Sequence, residues 1–90
     1  MLILGDAFVP KVVSGDLNLI PKETGIYYNS SSVQLAQMTN KPSGSSDNEM
    51  VLVSLGHNYG VQLYFDTALK IFIRYFGSGY GSWQKVYPTT

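Results

Sequence analysis

The stretch HNYG at 57–60 places an imidazole, an amide and an aromatic ring side by side. Proteins that hold sugars weakly use this combination, because the ring packs on the apolar face of the sugar while polar neighbours bond its hydroxyls. A second aromatic lies in the glycine-rich segment FGSGYGSWQKVY at 76–87. The candidate glycan-binding residues are therefore His57, Asn58, Tyr59 and Tyr80. The alternative is that these are ordinary surface loop residues.

The glycine-rich segment does not match a phosphate-binding loop. In such a loop a helix follows the glycines directly, so that its N-terminal N–H groups face the phosphate. Here a tryptophan and a strand pattern follow the glycines. Residues 77–82 are instead predicted to form a turn, because glycine at alternate positions permits unusual backbone angles. Trp83 is predicted to start the next strand and to lie in the core.

The sequence offers little for catalysis or metal binding. It contains one histidine and no cysteine, so a nucleophile–base pair, a cysteine-ligated metal and a disulfide framework all lack support. The segment SSDNE at 45–49 could hold a calcium ion, but it lacks the spacing of an EF-hand loop. No pair of carboxylates is spaced in a way that indicates glycoside hydrolysis. We expect no enzymatic activity, no catalytic residue, no metal and no cofactor.

Alternating residues predict the elements that must position the candidate site. Residues 49–56, 61–66 and 69–76 are rich in β-branched and aromatic residues, and residues 82–87 form a fourth run. Short turns between the runs predict a four-stranded antiparallel meander over residues 49–87. In each of the first three strands one alternate set is purely apolar or aromatic and is predicted to face inward. These sets are Val51, Val53 and Leu55, then Val61, Leu63 and Phe65, then Ile71, Ile73 and Tyr75.

This meander would bring the two aromatic turns together. Alternate turns of an antiparallel meander lie at the same end, so the turns at 57–60 and 77–82 share one rim. Because the strands already supply a core, Tyr59 and Tyr80 are expected to face solvent at that rim. The predicted core consists of Tyr27, Val53, Leu63, Phe65, Ile71, Ile73 and Trp83.

The first half of the chain is less regular. GIYYN at 25–29 is predicted to be a strand, and residues 31–38 are predicted to be extended, although Leu35 and Met38 also fit one helical turn. The predicted fold is therefore a mainly β single domain, a small antiparallel sheet with long loops and at most one short helical turn.

Two segments lie outside the predicted elements. Residues 39–49 form a loop by composition, and a loop of that length in a small domain is either functional or disordered. Residues 1–15 are predicted to be an edge strand or an N-terminal arm that links to a preceding segment. Pro10 argues against a central strand there. Residues 16–90 are predicted to form the domain itself.

Composition limits the partners. The chain has 90 residues with six basic and six acidic side chains, and only 13% of its residues are charged. Nucleic acids and anionic membrane surfaces are bound through basic clusters, which this sequence lacks. The N-terminal run MLIL is too short for a signal-peptide core or a transmembrane helix. We expect no nucleic-acid partner, no membrane insertion, and stability that depends on a well-packed β core or on oligomerisation.

The order of several segments resembles the pyocin-knob domains of bacteriophage and prophage tail fibres. The most specific parts are Asp16-Leu17-Asn18 ahead of GIYY at 25–28, and Arg74 followed by GSWQK at 81–85. The resemblance covers residues 16–87, and the chain departs from the family in the loop PSGSSDNEM and in its first fourteen residues. The segments in order are DLNLI (16–20), GIYY (25–28), TNKPSG (39–44), VQLYFD (61–66), KIFIRYF (70–76) and WQKVY (83–87).

The resemblance implies a small β-rich module of a homotrimeric fibre on the virion, near the end that meets the host cell. Such fibres recognise bacterial surface polysaccharide, lipopolysaccharide or teichoic acid. The family supplies no catalytic signature and no settled list of binding residues. The sequence therefore predicts a host-recognition domain of a tail fibre that binds glycan. The alternatives are a structural spacer of the fibre without a ligand, and a fragment of a polysaccharide depolymerase.

Overall fold

The computed structural model describes residues 8–89, which form one six-stranded sheet with its strands in chain order. Neighbouring strands are antiparallel except at the edge, where the first strand is parallel to the second. The predicted mainly β class is confirmed. The strands are β1 Lys11–Val12, β2 Glu23–Asn29, β3 Met50–His57, β4 Tyr59–Asp66, β5 Ile71–Phe76 and β6 Gln84–Tyr87; a 3-10 turn spans Leu17–Leu19 and a helix, α1, spans Ser32–Gln37.

Strands β3 to β6 form the predicted meander. Within it, Leu63 of β4 lies opposite Val53 on one side and Ile73 on the other. The first turn is tight because Asn58 adopts a positive φ of 64°. The second turn is an Asx turn, in which Asp66 Oδ1 accepts a hydrogen bond from the Ala68 N–H at 3.0 Å. The meander is therefore confirmed, and β1 and β2 extend it at one edge.

The buried face of the sheet is opposite to the predicted one. The buried apolar side chains of the meander include Leu52, Tyr64, Phe72 and Phe76, none more than 3% exposed. They belong to the alternate set that also carries polar residues. The prediction that the purely apolar set forms the core is wrong for Val53, Leu63, Phe65, Ile71 and Ile73, which are half-buried on the other face. Of the remaining predicted core residues, Tyr27 is buried and Trp83 is half-buried against the core.

The elements that precede the meander determine which face is buried. Leu17 and Ile20 from the 3-10 turn, and Leu35 and Met38 from the region of α1, are each at most 5% exposed and join the same core cluster. They pack on the strand set that carries the larger side chains. Both alternate sets contain apolar residues, so the alternation alone did not distinguish the two faces. We call the packed side the covered face.

Residues 31–38 are helical, so the prediction of extended structure there is wrong. The helix begins after Ser31, whose side-chain oxygen accepts a hydrogen bond from the Gln34 N–H at 3.3 Å. Leu35 and Met38 lie three residues apart and are both buried. Helical spacing brings both side chains to the covered face, which an extended segment would not do for residues three apart.

The loop at 39–49 is attached to the sheet by its own polar groups. Asp66, which is buried at the end of β4, accepts a hydrogen bond from the Ser46 N–H at 2.8 Å. Lys41 forms an ion pair with Asp47 at 2.8 Å within the loop. The long loop thus has a structural role in closing one end of the covered face.

Candidate functional site

The other side of the sheet, which we call the open face, is apolar and partly exposed. Its residues form rows across the strands, and Val51 and Leu55 are 41% and 42% exposed. The rows are Tyr28, Val51, Phe65 and Ile71, then Ile26, Val53, Leu63 and Ile73, then Leu55, Val61 and Tyr75. The predicted rim lies just beyond the third row.

Three of the four predicted site residues lie at this rim. His57 is opposite Tyr59 at the end of the β3–β4 pair, and Asn58 is at the apex of the turn between them. All three are exposed, and Tyr59 is 73% exposed. Tyr75 lies one row inward on the same face and is 59% exposed. The sequence predicted that Tyr75 faces inward with the apolar set. The register of β4 and β5 instead places it beside the rim.

The rings of Tyr59 and Tyr75 lie against glycine backbone. A Cβ atom added to Gly77 would lie 2.9 Å from Cδ1 of Tyr59, and one added to Gly81 would lie 2.5 Å from Cδ1 of Tyr75. The same position on Gly77 is 3.5 Å from Cε2 of Tyr75, so the two rings are neighbours. Each ring is therefore supported by backbone on one side and open to solvent on the other. We call Tyr59 and Tyr75, with His57 and Asn58, the tyrosine platform.

Tyr80 is not part of this rim, so its predicted exposure there is wrong. The turn at 77–82 folds toward the covered face, and Tyr80 forms an isolated antiparallel bridge with Phe76. Its hydroxyl donates a hydrogen bond to the carbonyl of Ile20, and burial raises the pKa of that hydroxyl. The ring lies over the guanidinium of Arg74, with 4.1 Å between Cζ and the ring centroid. The side chain is thus held by packing and hydrogen bonding.

Arg74 forms a second polar cluster, on the covered face. It is 4% exposed, and burial lowers its pKa to about 10, which leaves the guanidinium charged at neutral pH. Nε donates to Gln62 Oε1 at 2.9 Å, Nη1 to Asn18 Oδ1 at 2.6 Å and Nη2 to the Leu17 carbonyl at 2.9 Å. These bonds join the 3-10 turn to β4 and β5. Arg74 and Gln62 alternate with the residues that the sequence predicts to face inward, so they were expected to face outward and this cluster was not predicted.

Aromatic rings complete the cluster around Arg74. The guanidinium lies 4.4 Å from the Trp83 ring, on which Tyr64 packs edge-on with 5.6 Å between centroids. Trp83 Nε1 donates to the Asn40 carbonyl at 2.8 Å. Hydrogen bonds from Asn40 and from the Asn18 backbone lower the pKa of the nearby Asp16 carboxyl. The polar groups of Arg74, Trp83 and Asp16 are thus paired with side chains or backbone of the domain itself, so the cluster is structural.

Other chemistries have little support in the part of the chain that the structure describes. Among residues 8–89, no group of three or more His, Asp and Glu side chains is arranged to hold a metal ion. No helix in that range is long and apolar enough to cross a membrane. No protein-family model, no curated protein and no solved structure matches the chain. The tyrosine platform is the candidate for ligand binding because its two adjacent rings are exposed and supported by backbone.

Proposed function

We propose that the chain is a host-recognition domain of a phage or prophage tail fibre and that its tyrosine platform binds bacterial surface glycan. The observation that carries this proposal is the pair of adjacent exposed rings supported by Gly77 and Gly81. A ring that is already held in place loses little conformational freedom when a sugar stacks on it. His57 and Asn58 at the rim supply imidazole and amide groups for the sugar hydroxyls.

The resemblance to pyocin-knob domains supports the biological setting of this proposal. Two of its most specific parts, Asp16-Leu17-Asn18 and the region from Arg74 to Trp83, meet around the guanidinium of Arg74. These residues stabilise the domain from the covered face and take no part in the rim. Polysaccharide, lipopolysaccharide and teichoic acid are the ligand classes that this setting suggests. On a fibre with three copies of a weak site, binding of several copies at once gives an avidity far above the affinity of one site.

A structural spacer is the second candidate, and the open face favours it. A large apolar surface suits a domain that packs against other parts of an assembly. Such a domain needs no ligand of its own, so glycan binding separates the two candidates.

The first prediction concerns the two tyrosine rings. A stacked ring in a weak site contributes on the order of 1–2 kcal/mol, so Tyr59→Ala and Tyr75→Ala should each weaken glycan binding by about tenfold. The chain should be displayed on a multivalent carrier and applied to an array of bacterial polysaccharides, lipopolysaccharides and teichoic acids. Tyr87→Ala is the matched control, because Tyr87 is 55% exposed on β6, opposite Ile71 and away from the rim.

A further variant tests the support of the ring. Gly77→Ala keeps Tyr59 but places a methyl group where the ring now lies, so it should also weaken binding. The Tyr59→Ala, Tyr75→Ala and Tyr87→Ala variants should retain the parent's free energy of unfolding within about 0.5 kcal/mol, as is usual for exposed positions. Gly77 is buried, so a folded Gly77→Ala variant, shown by a cooperative thermal transition, is required before its binding is compared. If no glycan on the array is bound, or if the Tyr59→Ala, Tyr75→Ala double variant binds as the parent does, the platform is not a glycan site and the spacer function is favoured.

A further inference from the structure

We propose that the tyrosine platform selects neutral sugars that carry a methyl group, as 6-deoxyhexoses and N-acetylated sugars do, and that the methyl group packs on Val61. This selection rests on the proposed glycan binding and goes further, because it names the part of the sugar that is recognised and the side chain that contacts it. Glycan binding without a preference for the methyl group would contradict only the selection.

Val61 is the floor of a shallow depression beside the platform, with a larger side chain on each of its four sides. Leu55 of β3 and Tyr75 of β5 lie opposite it in the third row of the open face. Tyr59 and Leu63 are its neighbours on the same face of β4, each about 6.8 Å along the strand, because side chains alternate between faces. Val61 is half-buried, while Leu55 and Tyr75 are 42% and 59% exposed. The short valine thus lies below the side chains around it.

The two tyrosine rings leave this depression open. The ring of Tyr59 lies against Gly77, and that of Tyr75 against Gly81, both in the turn that follows β5. Both rings therefore lean toward that turn and stand beside Val61. A sugar ring stacked on them would present one of its edges to the valine.

A methyl group is the sugar substituent that this depression suits. A hydroxymethyl or carboxylate group on Val61 would lose hydrogen bonds to water and gain no partner from the valine, whereas a methyl group gains apolar contact. The imidazole of His57 and the amide of Asn58, which can bond sugar hydroxyls, lie at the rim. The sugar is therefore oriented with hydroxyls toward the rim and its methyl group toward Val61.

The charges near the platform do not favour an anionic sugar. The three rows of the open face contain no charged side chain between β2 and β5. At the rim, Glu23 lies opposite His57, and the ammonium of Lys22 donates a hydrogen bond to the Gly77 carbonyl at 2.6 Å. These two formal charges are opposite and offset each other, so a neutral ligand matches the site.

NMR titration of the isotope-labelled chain with matched monosaccharides tests the selection at millimolar affinities. D-fucose, D-galactose and D-galacturonic acid differ only at their last carbon, which belongs to a methyl, a hydroxymethyl and a carboxylate group respectively. In a second series, 6-deoxyglucose and N-acetylglucosamine are each compared with glucose, which separates the two sources of a methyl group. Burial of one methyl group corresponds to about fourfold in affinity, so a methyl-bearing sugar should bind at least threefold more tightly than its partner in one series or both.

Substitution of the valine tests the contact itself. Val61→Thr keeps the shape of the side chain and replaces a methyl group with a hydroxyl, so it should bring the affinities for the two members of a pair together. Val51→Thr is the matched control, because it makes the same change on the open face in the row farthest from the rim, and it should keep the parent's preference. Intermolecular NOEs between the sugar methyl protons and the Val61 methyl protons should appear in the parent, and they do not depend on the folding of any variant.

The outcomes separate the selection from the proposed function. If bacterial glycans are bound through Tyr59 and Tyr75 but the members of every pair bind equally, or the sugar methyl group shows no NOE to Val61, the selection is wrong and glycan binding stands. The same conclusion follows if the array is bound and none of these monosaccharides shifts an amide of the platform. If neither the array nor any monosaccharide is bound, both proposals are wrong.

Discussion

Arg74 illustrates how a charged side chain can belong to the core of a small β domain. Its three hydrogen-bond partners are neutral, and the rings of Tyr80 and Trp83 enclose the guanidinium. A planar guanidinium both stacks on rings and donates in several directions, which a lysine ammonium does not. The cost of burying the charge is thus offset by contacts that also attach the 3-10 turn to the sheet.

The buried hydroxyl of Tyr64 gives a testable prediction about stability. Its hydroxyl is fully buried, and no hydrogen-bond geometry joins it to another described residue, although Ser45 lies near it. Tyr64→Phe removes a buried group without a partner, so at pH 7 the free energy of unfolding should be unchanged or about 1 kcal/mol higher. Urea denaturation measures this. A loss of more than about 1 kcal/mol would show that the hydroxyl has a partner, such as a buried water molecule.

The same hydroxyl gives Tyr64 a pH dependence with a definite sign. Burial raises its pKa from 10 to about 12, so the folded state favours the protonated phenol. The resulting stability is complete below pH 10 and is lost as the pH rises toward 12, by on the order of 2–3 kcal/mol. Tyr64→Phe lacks this loss, so between pH 8 and pH 11.5 its stability should fall less than that of the parent. Equal falls would contradict the assignment.

At the scale of elements, the sequence predicted the strands of the meander and their turns, because alternation, turn residues and short connections are local signals. It did not predict which face is buried. The purely apolar set ending in Tyr75 was the more conspicuous pattern. The other set nevertheless has three buried aromatic side chains, Tyr64, Phe72 and Phe76, and it meets Leu17 and Leu35. The buried face depends on these distant segments, and no local pattern reports on them.

For the candidate site as well, the sequence predicted what local signals determine and not what distant segments determine. His57, Asn58 and Tyr59 were placed correctly, because a tight turn and its exposure are local properties. Tyr80 was not, because its partners Ile20 and Arg74 come from other elements. Tyr75 was not predicted to be a site residue, because the wrong face of the sheet was predicted to be buried. It lies opposite Val61, two residues from Tyr59. Once the rim at residues 57–60 had been predicted, the pairing of β4 with β5 was the signal that could have placed Tyr75 beside it.

The N-terminal cap of helix α1 gives a testable prediction about stability. Isolated six-residue helices are not stable, so α1 depends on the burial of Leu35 and on the cap at Ser31. Ser31→Ala removes the acceptor for the Gln34 N–H and should lower the free energy of unfolding by about 1 kcal/mol. Ser30→Ala is the control, because Ser30 is exposed and lies outside the helix. Equal stabilities of the two variants in urea would show that the cap contributes nothing.

At the scale of the whole molecule, the domain is a sheet with one side packed and one side open. The 3-10 turn, α1 and the loop at 39–49 all lie on the covered face, which gives the chain a core without a second sheet. The few charges of the chain are accordingly absent from the open rows of β2 to β5. This asymmetry places the packed core on one side of the sheet and the tyrosine platform at one end of the other side.

Amide hydrogen exchange tests this view of the whole molecule. Strand β4 pairs with a strand on each side, whereas β1 and β6 are the edges of the described sheet, and every residue of β6 is exposed. Amides of Leu63 and its neighbours should therefore exchange at least a hundredfold more slowly than those of β6, because edges open locally while the centre requires global unfolding. Exchange of β6 as slow as that of β4 would show that the edge strand opens only when the whole domain unfolds, and it would contradict this expectation.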